Sequence, residues 1–385
     1  MIKKLLLILL IILVAAVIFS PFIARQVEKN FNKVRYPSPY QVSTYAQGFH
    51  DSLLVADLHA DPLLWGRDLN EEWQQGHFDL PRMRKANVAL QVFSIVSKSP
   101  KGQNFQQNPS DSDKLGYLAA AQHWPYKTWT SPLHRAMYQA NRLQKLTQEN
   151  DDLTLIRNLP DLDEWLKARK ADPKKRAGLL AIEGAHALEG NLNNFNHLKT
   201  AGVRMIGLAH FFDNQFSGSA HGMEKGGLTA KGKELVEMAQ KGGVLIDLAH
   251  ASPKAIDDVI AISKKPLVVS HTGVKALCES PRNLSDKHIR DVARTGGLIA
   301  VAIFEEATCG TDVKQMVDAI DHIAKMVGVD YVALGLDLDG AVVSPIDVTG
   351  MPLITQELLK RGYSERDIGR ISGKNFIRVL KQTLN

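Results

Sequence analysis

The chain has 385 residues, of which 44% are hydrophobic, 23% charged and 7% aromatic. That length suits one large α/β barrel, and the composition excludes a disordered, collagenous or multi-span membrane protein. Two cysteines, Cys278 and Cys309, exclude a disulfide scaffold and any all-cysteine zinc or iron–sulfur site. The net charge of +6 is concentrated at one end, because residues 1–35 hold six basic side chains against Glu28 alone. The remainder is close to neutral and lacks the basic footprint that phosphate backbones require, so nucleic acid is not an expected partner.

Lys3 and Lys4 precede an unbroken apolar run from Leu5 to Phe19, which Ser20, Pro21, Phe22, Ile23 and Ala24 extend to Arg25. This is the length of a signal h-region or a short membrane span. No Ala-x-Ala site follows it, so residues 1–24 read as an uncleaved anchor with the main domain outside the cytoplasm. Cleavage would instead release a secreted protein. Residues 25–48 read as a polar juxtamembrane connector in which Tyr36-Pro37-Ser38-Pro39 is a stiff, turn-like element.

From residue 49 to 385 apolar, β-branched runs alternate with helix-like stretches. The runs are 53–58, 88–96, 178–182, 203–209, 243–249, 266–270, 297–304 and 331–336. Residues 229–241 carry an apolar stripe of Leu235, Met238 and Ala239 stopped by Gly242-Gly243, and Ser364 with Asp367 fits a capping box before a C-terminal helix. Eight near-continuous apolar strands imply a parallel sheet covered on both faces, and closure into a (β/α)8 TIM barrel is the expected fold. The unit after the second run is roughly eighty residues long. Its polar start, 98–114, reads as an exposed loop and residues 132–148 as a helix, an insertion suited to shaping an active-site mouth.

Barrel chemistry sits at the C-terminal ends of the strands. There the runs end in Asp57-Leu58-His59-Ala60-Asp61, Glu183-Gly184, His210, Asp247-Leu248-Ala249-His250, Ser270-His271 and Asp337-Leu338-Asp339-Gly340. Taken singly, a strand-end histidine is usually a hydrogen-bonded loop residue, and an Asp before Gly a turn. Six of the eight runs ending in metal-capable side chains argues instead for a metal centre. At least five ligands exceed what one ion needs, which favours two ions sharing a carboxylate. His59 and Asp61 would hold one, His250 and His271 the other, with Glu183 between them and Asp337 free to move a proton.

These residues resemble the membrane (renal) dipeptidases, peptidase family M19, over about residues 50–382. The matching segments are DLHAD (57–61), FDLPRM (78–83), AIEGAHALEG (181–190), LAHFFDN (208–214), residues 227–252, VVSHTGVKALCESPRN (268–283), ALGLDLDG (333–340) and GKNFIRVL (373–380). The resemblance implies an amidohydrolase-type barrel with two zinc ions. Its zinc ligands fall on His59 and Asp61, on bridging Glu183, and on His250 and His271. His210 matches a substrate-binding histidine beside the reacting carbonyl, Arg282 the arginine for the dipeptide's terminal carboxylate, and Asp337 the acid that shuttles a proton. Asp339 is the fallback for that acid. Cys278 and Cys309 fall near a disulfide of the animal members, leaving a bridge and two buried thiols both open.

Two positions depart from the family pattern: Ala302-Ile303-Phe304 replaces an Asn followed by aromatics, and Ser97-Lys98 a tyrosine-containing segment. Both face the substrate cleft, while His77 and His221 read as loop residues. The expected activity is zinc-dependent hydrolysis of dipeptides, including a D-residue at the C-terminal position, with a small dipeptide and the membrane as partners and a homodimer left open. The rivals are another amidohydrolase reaction on the same metal pair, deacylation or lactone opening, and a catalytically silent zinc-containing binding protein. Arg282 discriminates the first, since it matters only to substrates with a carboxylate.

Overall fold

The computed structural model describes residues 2–385. Nine parallel strands form one sheet: β1 (Val55–Ala60), β2 (Val88–Val96), β3 (Leu153–Leu155), β4 (Arg176–Glu183), β5 (Val203–Gly207), β6 (Leu245–Asp247), β7 (Val268–Thr272), β8 (Leu298–Val301) and β9 (Val332–Leu334). Eight follow one another in the order β1-β2-β4-β5-β6-β7-β8-β9, and β3 pairs with the outside of that path at β4. The last strand returns to the first through a parallel bridge between Ala60 and Leu338, which nearly closes the barrel. The Asp61 N–H donates to Leu338 O at 2.8 Å and the Asp337 N–H to His59 O at 3.1 Å. Closure therefore runs through the segments that carry the first and last expected site residues.

All eight expected runs overlap a strand of the ring. Every residue of β2 and β4 is buried, as strands covered on both faces must be. The strand outside the eight, β3, has three residues in an alternating buried–exposed–buried pattern. That is too short for periodicity to reveal it. The long unit after β2 contains the expected helix as Pro132–Glu149, capped by Ser131, whose side chain accepts from His134 N.

The expected C-terminal helix is interrupted. Ser364 and Asp367 form the capping box, but the helix they start ends at Gly369, a wider turn spans Arg370–Lys374, and Asn375–Thr383 is the final helix. Gly373 is the cause: a Cβ there would lie 2.3 Å from Leu54 O, so only glycine lets this turn pack onto the entry to β1.

Part of the stretch read as a connector, residues 25–48, is helical and packed on the barrel. One helix runs from Ile2 to Phe31, through Pro21 and past the expected boundary. Its last turns are docked on the barrel: Glu28 is 1% exposed and pairs with buried Arg67, and Asn32 Oδ1 accepts from Ala341 N at 2.9 Å. Arg35 N and Tyr36 N donate to Ser344 O and Pro345 O at 2.8 and 3.1 Å. The Ser38–Pro39 peptide is cis, within the non-helical stretch expected there. The anchor expected over 1–24 falls partly on residues whose side chains lie outside the described ones. Among the described residues no helix is long and apolar enough to cross a membrane.

Candidate metal centre

Strand alternation puts His59 and Asp61 on one side of the chain leaving β1, and the structure turns both to the barrel axis. His59 Nε2 lies 3.6 Å from Asp61 Oδ1, 3.6 Å from Glu183 Oε1 and 3.8 Å from Asp337 Oδ1. Glu183, at the end of β4, stands in the middle. Its Oε1 is 3.0 Å from His250 Nε2 and 3.4 Å from His271 Nε2, and its Oε2 is 3.5 Å from His210 Nε2.

Among the described residues, three groups of side chains could hold a metal ion: His59, Glu183 and His271; Glu183, His210 and His250; and His59, Asp61 and Asp337. Together they contain all five expected ligands, with His210 and Asp337 besides. Glu183 belongs to two of the groups, as a carboxylate shared between two ions would.

Hydrogen bonding orients the rings. Asp247 Oδ1 accepts from Ala249 N and Ser270 N at 3.0 and 2.9 Å, and Asp247 Oδ2 accepts from Ser270 Oγ at 2.5 Å. With its only proton committed to Asp247, the Ser270 oxygen is left to accept. His271 Nδ1 lies 2.8 Å from it and His59 Nδ1 3.3 Å. Both rings therefore carry the proton on Nδ1 and present the Nε2 lone pair to the centre, the tautomer a metal ligand needs. Sequence reasoning gave Asp247 and Ser270 no role in orienting these rings. The available signal was that each lies at a strand end within three residues of an expected ligand.

The electrostatics point the same way. Burial opposes a charge on His59, yet Asp61, Glu183 and Asp337 overcome it and push the ring up to about 10. Burial first, and then the Asp61 charge, lifts Glu183 well above the usual carboxylate range. Burial also raises Asp337 to about 7, with His59 pulling the other way. Burial holds His210, His250 and His271 well below the usual histidine range. His59 Nε2 and Asp61 Oδ1 are buried without a hydrogen-bond partner. Orphaned donor atoms amid surplus negative charge, beside three imidazoles that burial holds neutral, fit divalent cations.

Arg282, in the loop after β7, is buried with Nη2 donating to His271 O at 2.5 Å and with Nε unpaired. It faces the charges of Asp337 and Glu183. Asp337 rather than Asp339 belongs to the centre. Asp339 points away, accepting from His77 N at 2.6 Å and pairing with Arg67, while its carbonyl accepts from Trp65 Nε1 at 2.7 Å. His77 is structural: its Nδ1 accepts from Asp339 N at 2.9 Å, leaving Nε2–H for Lys33 O at 3.1 Å. His221 is buried and closer to the centre, its ring centroid 5.3 Å from that of His250. Cys278 and Cys309 are joined, with Cα atoms 5.3 Å apart, bracing the Arg282 loop against the segment after β8.

A parallel barrel whose C-terminal face gathers four imidazoles and three carboxylates in overlapping metal-binding groups defines a metal-dependent hydrolase. The membrane dipeptidase model, peptidase family M19, matches residues 44–385, and the chain belongs to that family, which makes it a metallo-dipeptidase. It is 29% identical over 337 residues to dipeptidase ataJ of Aspergillus terreus, covering 80% of this chain and 77% of that protein. With human dipeptidase 3 the identity is 26% over 325 residues, covering 80% of this chain but 64% of that one.

Among solved structures, a probable dipeptidase, PvdM, of Pseudomonas aeruginosa superposes with a TM-score of 0.73 at 22% identity, covering 88% of this chain and 97% of that one. A metallopeptidase of Rhodobacter sphaeroides, liganded with a phosphinate mimic of L-Ala-D-Ala, superposes at 0.68 and 23% identity over 86% and 99%. Both share the fold.

Proposed function

We propose that this protein hydrolyses dipeptides, including those with a C-terminal D-residue, at a pair of zinc ions. One ion would be held by His59 and Asp61, the other by His250 and His271, with Glu183 shared between them. When bound, the ions would lower the pKa of a water and polarise the scissile carbonyl. The observation that carries this reading is Glu183, whose one carboxylate lies within 3.6 Å of imidazole nitrogens from both halves of the site.

The chain's own side chains supply the rest. Arg282 holds the terminal carboxylate of the substrate with its unpaired edge. His210, neutral by burial, donates to the oxygen on which charge develops. Asp337 accepts a proton from the attacking water and returns it to the leaving nitrogen, so the new C–O bond and the broken C–N bond balance. Cleavage at a D-residue draws support from the Rhodobacter relative's ligand, a mimic of L-Ala-D-Ala.

The test pairs metal analysis with turnover of L,L and L,D dipeptides. About two zinc ions per chain, with hydrolysis abolished in Glu183→Gln, is the expected result. Full metal occupancy without dipeptide cleavage would favour another amidohydrolase reaction or a binding role.

We also infer an anchored protein with its barrel outside the cytoplasm. Lys3 and Lys4 before the apolar run support the orientation, and the Cys278–Cys309 bridge suits an oxidising compartment. Sedimentation with membranes, lost on deletion of residues 1–24, is expected, and an undeleted protein that stays in the supernatant refutes it.

A further inference from the structure

The mouth of the barrel is roofed. Loop 98–114 leaves β2 and closes on itself at the neck, where Lys114 N donates to Ser99 O at 2.8 Å and Lys101 N to Ser112 Oγ at 3.1 Å. Inside it, Asn104 N donates to Asn108 Oδ1 at 2.9 Å and Asn108 Nδ2 to Asn104 O at 2.7 Å. This is a self-bonded Ω-loop with a narrow neck.

Half-buried Phe105 is its plug. The ring meets Phe211, after β5, edge-on at 5.4 Å between centroids, and stacks on Phe304, after β8, at 6.3 Å. β5 and β8 stand three places apart in the ring of strands, so one side chain touching both residues spans the opening. Beneath it the metal-site residues are only 1–7% exposed.

His221 fastens the roof. Its carbonyl accepts from Asn108 N at 2.8 Å and Asn108 Nδ2 at 3.2 Å, and its Nδ1 donates to Phe105 O at 2.7 Å. Three bonds from one residue hold the loop down at the plug.

We propose that loop 98–114 is a substrate lid, that Phe105 is a specificity-determining residue selecting dipeptides with bulky apolar side chains, and that His221 is the positioning residue that latches it. The wall that Phe105 forms with Phe211 and Phe304, beside Ala302, is built of apolar side chains, which favours an apolar side chain on the substrate. The inference rests on dipeptide hydrolysis at this site.

The test uses the full chain. The ratio of kcat/KM for Leu-Leu to that for Gly-Gly should fall by about 10-fold in Phe105→Ala and recover in Phe105→Leu. In His221→Ala the loss should fall on KM more than on kcat. Tryptic cleavage after exposed Lys101 should slow on adding a phosphinate analogue of Leu-Leu to wild type. Dipeptide turnover with an unchanged ratio, or cleavage indifferent to the analogue, overturns the lid and leaves the dipeptidase reading standing. A wild type that cleaves no dipeptide overturns both.

Discussion

Arg67 offers the sharpest test of how the N-terminal helix is joined to the site. Its side chain is fully buried between Glu28 and Asp339, and its Nη1 donates to Phe78 O at 2.8 Å. Arg67→Met would leave two carboxylates buried side by side with no cation and the Phe78 carbonyl without its donor. Breaking a buried pair by removing one partner costs about 3–5 kcal/mol. Glu28→Gln is different, because the amide oxygen still accepts from Arg67 and the remaining Arg67–Asp339 pair is neutral. At pH 5, where Glu28 carries its proton, the expected cost is about 0.5–1.5 kcal/mol, that of an ordinary hydrogen bond.

The two variants also differ in pH response. Burial lifts Glu28 to about 7 despite Arg67, so the folded wild type keeps a proton that the unfolded chain releases near 4.5. The stability linked to that proton is complete below about 4.5 and is lost as pH rises through about 7. Glu28→Gln should remove this slope, and Arg67→Met should steepen it. Thermal unfolding at pH 5 and pH 8 reads both effects, with Arg67→Met melting about 5–10 °C below wild type at the higher pH. Equal losses in the two variants would refute the argument that an unmatched buried charge, rather than lost packing, sets the cost.

Ser270→Ala removes the acceptor that sets the His59 and His271 tautomers, and zinc affinity should fall about 10–100-fold in competition with a chelator. An unchanged affinity would show that the rings orient without it. Arg282→Met should lower kcat/KM about 10–100-fold on dipeptides, with little effect on substrates whose C-terminal carboxylate is amidated. Cys278→Ser with Cys309→Ser opens a link spanning 31 residues, for an expected loss of about 3–4 kcal/mol read in urea unfolding.

Much of the site was legible because barrel chemistry falls at strand ends, where polar residues interrupt apolar runs. His59, Glu183, His210, His250 and His271 each end such a run, and parallel topology alone brings them to one face. Asp337 and Asp339 were not separable by pattern, since both follow β9 in DLDG. Both take positive φ, 64° and 61°, and only the turn they make sends one into the centre and the other toward Arg67. Asp247 and Ser270 were visible as strand ends, but their effect on two imidazoles depends on distances across neighbouring strands.

The sequence by itself determined the class of fold, the metal-capable face and the chemistry of the side chains on it, because those follow from local hydropathy and residue type. Tertiary structure alone decided that residues 25–36 pack on the barrel, since Glu28, Arg67 and Asp339 are far apart in the chain and pair only once strands and helix are placed. It also turned a polar stretch, 98–114, into a roof held by His221. Polarity marks a loop as solvent-exposed on average, whereas the one side chain that faces inward is selected by what the folded chain sets beneath it.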